Sequence, residues 1–149
     1  LDTNYENMVD LLNKWQQTLR LRDWDIRLQT VNRPWRKSGD IKIDREDKNA
    51  ILLVNIYNPA QTNLEELIIH ELLHLKLYDM DQTIERYIGA VYGEDEAEPR
   101  RAMAYEDFMR ILEGTVHDLT KCFLELGGEE RTLSFGRLQR AVDEELGDA

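Results

Sequence analysis

Apolar residues recur at helical spacing from Asn4 to about Leu21, with Met8, Leu11, Leu12, Trp15 and Leu19 on one side. The chain is therefore expected to open with an amphipathic helix that covers a sheet. Ile26, Leu28 and Thr30 then alternate with polar neighbours as a half-buried strand does, and Arg33-Pro34 ends that run. Ile41 and Ile43 alternate in a second short strand. A third, Ala50 to Tyr57, is rich in β-formers and bounded by Lys48-Asn49 and Asn58-Pro59, so the last two strands are expected to pair as a hairpin. Asn63-Leu64-Glu65-Glu66 has the form of a helix start, an N-cap residue with a glutamate three residues on to return the hydrogen bond. In the helix that follows, to about Tyr78, the apolar positions Leu64, Leu67, Ile68, Ile69, Leu72, Leu73, Leu75 and Leu77 surround the axis, which predicts burial on most sides.

The pattern weakens from Asp79 to Glu98. Ile84 to Tyr92 supports a turn or two of helix there, and Gly93 with Glu94-Asp95-Glu96 marks a loop. Pro99 suits the first turn of a long helix, whose stripe runs through Phe108, Leu112, Thr115, Leu119, Cys122 and Leu126 until Gly127-Gly128 stops it. On this stripe Cys122, the one cysteine, is expected to be a buried small hydrophobe, and alone it makes no internal disulfide. A last amphipathic segment uses Leu133, Phe135, Leu138, Val142 and Leu146, and the end at Gly147-Asp148-Ala149 is expected to fray.

These elements describe an α+β domain: an N-terminal helix, a small three-stranded and mostly antiparallel sheet, a buried helix and a long C-terminal helix. The 149 residues suit a single domain over 1–149, with 129–149 peripheral. With 42% apolar and 33% charged residues the composition is that of a globular chain. No apolar run reaches the roughly 20 residues needed to span a bilayer. Leu1 to Asp10 lacks the basic and then apolar order of a secretory signal, so a cytoplasmic location is expected. A net charge of −11 argues against nucleic acid and anionic membrane as partners.

The buried helix carries His70-Glu71-Leu72-Leu73-His74, two of the chain's three histidines in an HExxH pattern. Residues four apart on an α-helix lie about 40° apart around the axis and one turn along it, so both imidazoles can reach one metal. Glu71 then sits beside the metal without ligating it, where a base can take a proton from water that zinc acidifies toward a pKa of about 7. The helix has little exposed side on which to hold these residues otherwise, and unpaired polar burial costs about 1–3 kcal/mol per group. One zinc per chain is expected, with a peptide or protein as substrate. Catalytic zinc takes three protein ligands and leaves one position open. Beyond His70 and His74, the remaining candidates are Glu85, Glu94, Glu98, Glu106, Glu113 and His117. Glu106, Glu113 and His117 lie within about 40° of one another on the flank of the last long helix, Glu113 nearest the apolar stripe. As a structural alternative Glu113 and His117 form a solvated i,i+4 pair. Tyr105 and Tyr87 are candidates to hold an oxyanion.

The segment from Leu64 to Leu75, with Glu113-Gly114-Thr115-Val116-His117-Asp118-Leu119-Thr120 after a variable loop, resembles the small gluzincin-like metallopeptidases of phages, prophages and bacteria. The resemblance covers most of the chain in layout, and its specific part is the HExxH segment. It implies a minimal zincin-like fold, a zinc metallopeptidase activity, Glu113 as third ligand, and His117 as an outer neighbour of the site. A thermolysin-like spacing would select Glu94 instead. The variant with a third histidine soon after the motif is excluded, since none follows His74 there. The competing function is a zinc-bearing structural or interaction module without turnover, of phage origin if the resemblance extends that far. A purely structural site has no need of a base at Glu71.

Overall fold

The computed structural model describes residues 3–147. The order of elements is α1 (Thr3–Thr18), β1 (Asp25–Val31), β2 (Gly39–Asp44), β3 (Asn49–Asn55), α2 (Leu64–Lys76), α3 (Tyr78–Tyr92), α4 (Pro99–Gly127) and α5 (Gly136–Leu146). This is an α+β architecture of five helices and one three-stranded sheet among the described residues.

The sheet is mixed, which corrects the expectation of a mostly antiparallel one. β3 lies in the middle, antiparallel to β2 as the hairpin predicts but parallel to β1. The chain crosses from β1 to the far edge and returns through the hairpin into the centre. Leu28, Leu52 and Ile41 thereby fall in one row, with Ile26, Ala50 and Ile43 in the next, so alternation in three strands gives one apolar face. α2 packs on β2 and is flanked by α1 and α4, and its Ile68, Ile69 and Leu72 are fully buried. α1 lies against α2 and reaches the sheet through Tyr5, whose hydroxyl donates to Leu28 O at 3.3 Å.

Three expectations change in detail. The weakly patterned stretch after His74 is a full helix: α3 starts directly from Leu77, which joins it to α2 with no glycine or proline to announce the break. The buried row of α4 is Leu112, Val116, Thr120 and Leu124, stepping by four, because α2 and α3 pack on that side. Cys122 therefore points away and is exposed, as are Thr115 and Leu126. Thr120 tolerates burial because its hydroxyl donates to Val116 O at 2.7 Å. At the C-terminal end Gly147 caps α5 with φ 75, and the rest of the fraying end, Asp148 and Ala149, lies outside the described residues.

The N-terminal turn of α2 grips the C-terminal segment. Asn63 is the N-cap and accepts from Glu66 N at 3.1 Å, but Glu66 does not return the bond. Its carboxylate accepts from Gln61 Nε2 and Ser134 N instead. Asn63 Nδ2 donates to the carbonyls of Glu130 and Thr132. Buried Glu65 accepts from Trp15 Nε1 at 2.6 Å, Lys14 Nζ at 2.9 Å and the backbone N–H groups of Glu129 and Glu130. Burial acts to raise the Glu65 pKa, and these donors outweigh it, leaving the carboxyl below its ordinary value. A depressed folded pKa stabilises the fold above the ordinary carboxylate range, and that contribution is lost as pH falls through the folded value. Glu65→Ala leaves the buried indole and two backbone N–H groups without their acceptor and the Lys14 ammonium with only the Gly127 carbonyl, so a loss of about 3 kcal/mol is expected in urea unfolding at pH 7. A change under about 1 kcal/mol would mean that this cluster does not hold the segment in place.

Candidate metal centre

α2 and α4 pack side by side, and this contact assembles the site. His70 and His74 face α4 from one turn of α2, their rings 4.9 Å apart between centroids. Because α4 buries Leu112 and Val116, the residues one step on, Glu113 and His117, emerge at the edge of the contact and meet the two histidines. Glu113 Oε1 lies 3.2 Å from His74 Nε2, and Oε2 lies 3.8 Å from His70 Nε2. The His117 ring lies 4.7 Å from that of His70, centroid to centroid and tilted by 53°, with its Nε2 3.9 Å from Glu113 Oε2. His70 and His74 are each 20% exposed in their side chains and His117 51%, so the α2 pair lies deep and His117 at the rim.

The set whose ligand atoms all lie within 4.8 Å of one another is His70, Glu113 and His117. His74, the other histidine of the motif, meets the same carboxylate through its second oxygen, Oε1. Zinc bonds of about 2.0–2.1 Å in tetrahedral directions place ligand atoms roughly 3.3 Å apart; each histidine of α2 stands near that distance from one oxygen of Glu113, His74 at 3.2 Å from Oε1 and His70 at 3.8 Å from Oε2. The donor set, imidazole nitrogens and one carboxylate, also suits zinc.

The protonation states follow from position. Burial lowers the His70 pKa to about 4, helped by the nearby His74 and His117, so at neutral pH this imidazole is a free electron-pair donor. Burial also acts to lower His74, but the Glu113 carboxylate, with Glu71 and Asp81 behind it, raises the value above that of an ordinary histidine. Glu113 is correspondingly lowered, chiefly by His74. Glu71, buried at 8% exposure, is raised to about 7 by desolvation, and no side-chain hydrogen bond is among the influences on it. Asp40 on β2 raises the Glu71 value further and Lys37 before it lowers it, both at longer range.

Of the other candidate ligands none joins this cluster. Glu85, Glu94 and Glu106 line a different groove, between α3 and α4, and Glu98 is the N-cap of α4, accepting from Arg101 N at 2.8 Å. Glu94 thus loses the role that a thermolysin-like spacing would give it. The aromatic candidates fall away as well: Tyr105 lines the α3–α4 groove beside Glu85, and Tyr87 is exposed with Arg86 over its ring. One residue emerges that the sequence did not single out. Asp81, on the first turn of α3, acts electrostatically on His74 and Glu113, and its Oδ1 is buried without a hydrogen-bond partner. A carboxylate near a metal-ligand histidine commonly orients the ring. The signal available was its position seven residues after His74, which has structural meaning only once α3 is known to continue α2 almost without a gap.

Compared with known protein families, curated proteins and solved structures, the chain gives no match to any of the three. The function is therefore argued from the site itself. No helix among the described residues is long and apolar enough to cross a membrane.

Proposed function

We propose that the chain is a zinc-dependent hydrolase of peptide bonds on a minimal zincin-like arrangement, with His70, His74 and Glu113 holding the metal and Glu71 as general base. The observation that carries this reading is the meeting of two imidazoles from one helical turn with a carboxylate from the facing helix, next in sequence to the buried carboxyl of Glu71. Zinc at these residues would supply Lewis-acid polarisation of an acyl oxygen and acidify water. Glu71, with its pKa near 7, can take a proton from that water and deliver it to the leaving amine, since a group titrating near the working pH serves both transfers. His70 is held neutral by burial, and the Asp81 carboxylate adds to the negative field that favours the charged form of His74. The test is incubation of the zinc-loaded chain with a peptide library, read by mass spectrometry. Cleavage that stops on chelation and returns with zinc supports the proposal, and an uncleaved library counts against it.

His117 supports one other reading, a structural zinc closed by four protein ligands, because its Nε2 stands only 3.9 Å from Glu113. Zinc affinities of three variants separate the two. For the hydrolase, Glu113→Ala costs more than the roughly 10–100-fold typical of an outer partner, while His117→Ala stays within that range. Glu106→Ala is expected to match wild type. Equal, large losses for Glu113→Ala and His117→Ala would favour the closed structural site.

A further inference from the structure

The surroundings of the cluster carry a charge opposite to that of the chain. A groove of about 770 Å³ runs from His70, Glu113 and His117 toward residues 133–140. In a chain of net charge −11, four cations line it: Arg36, Lys121, Arg137 and Arg140. The two lining carboxylates are already engaged, Glu113 with the histidines and Glu66 with Gln61 Nε2 and Ser134 N. Among the described residues none of the four cations has a carboxylate within ion-pair distance, and Arg140 donates only to the carbonyl of Asn58, at 3.1 Å. The same wall exposes Phe135 and Leu138, at 67% and 68%.

The wall is fixed in place. The segment before α5 is tied to the start of α2 through Glu65, Glu66 and Asn63, and Ser134 Oγ accepts from Thr62 N at 3.1 Å. At Gly136 the backbone passes so close to Ala60 that a Cβ would run into the Ala60 carbonyl. The helix that carries the histidines thus also sets the position of the cationic wall.

We propose that this groove is the substrate subsite and that it selects acidic polypeptide segments, with carboxylate side chains on Arg36, Lys121, Arg137 and Arg140 and a neighbouring apolar side chain on Phe135 and Leu138. Guanidinium groups recognise carboxylates in a fixed fork geometry. The net negative charge of the chain disfavours an acidic segment in general, so a local excess of unpaired cations favours this groove over the rest. The proposal rests on the hydrolase reading for the bond that is cut, but binding alone can test it.

The probes are fluorescein-labelled nonapeptides with a central Leu-Phe flanked by Asp and Glu, and the isosteric set with Asn and Gln. Anisotropy is measured on zinc-loaded Glu71→Gln protein, in which turnover is suppressed. The acidic peptide is expected to bind about tenfold more tightly at low salt, with the advantage falling in about 0.5 M NaCl. Arg137→Glu with Arg140→Glu is expected to erase it, while Arg86→Glu, in the α3–α4 groove, leaves it unchanged. Circular dichroism checks that each variant folds. Equal affinity for the two peptide sets, or the same loss in Arg86→Glu, overturns the proposal. So does a single-stranded oligonucleotide that binds more tightly than the acidic peptide and depends on the same arginines. Acidic-peptide binding without cleavage by wild type would keep the groove and remove the hydrolase. Cleavage with no preference for acidic peptides would do the reverse.

Discussion

Wild-type protein is expected to take up one equivalent of zinc, and His70→Ala or His74→Ala to take up none at micromolar metal. The two imidazoles share one turn of α2 and converge with Glu113, so removing either leaves Glu113 with one buried imidazole and only the half-exposed His117 at the rim as a stand-in for the third ligand that zinc needs. The effect should also appear in stability. Metal that binds the folded chain alone stabilises it by about 4 kcal/mol at a thousandfold excess over Kd, and this increment disappears in both variants. Thermal unfolding with and without zinc, alongside metal analysis after dialysis, gives both readouts. Because neither histidine belongs to the apolar core, the metal-free variants are expected to unfold like metal-free wild type. Wild type that stays metal-free after zinc loading at neutral pH would end the zinc assignment.

The legible parts of this chain are those fixed by short-range chemistry. Asn63 and the apolar positions of α2 announce a helix that turns out buried almost all round, and the i,i+4 histidines need only helical periodicity to share a face. Alternation in 25–31, 39–44 and 49–55 gives three strands and the hairpin. The parallel pairing of β1 with β3 is a long-range choice that no local pattern carries. α3 was hidden for a different reason. Ile88 and Gly89 are its only buried residues among those described, so its apolar signal is thin. That gap conceals Asp81 too. Glu113 was one of several plausible carboxylates because the face of α4 could be read in steps of three and four through Cys122. Packing against α2 chose instead the four-residue row of Leu112, Val116 and Thr120. That choice exposes Cys122, and it brings Glu113 and His117 to the histidines while Glu106 faces the other groove.

Glu71→Gln is expected to keep both zinc and fold while peptide hydrolysis falls by a factor on the order of 10²–10⁴, the usual contribution of general acid–base catalysis. Glutamine preserves the shape of the side chain and removes its ability to accept a proton. The site gives reason to expect retention of the fold: Glu71 is buried and raised to a pKa of about 7, so a neutral amide replaces a group that the interior already favours in its neutral form. By linkage, a carboxyl raised in the folded state costs stability as pH climbs past its unfolded value near 4.5, and that cost levels off above the folded value. Metal-free Glu71→Gln should therefore be at least as stable as metal-free wild type at pH 8, and the difference should shrink toward pH 4. Cleavage, zinc content and unfolding measured on the same preparations separate the possible roles. A variant that loses zinc would make Glu71 a ligand. One that cleaves at the wild-type rate would assign the proton transfer to another group, and His117, at the rim of the same cluster and 3.9 Å from Glu113, would be the first to replace.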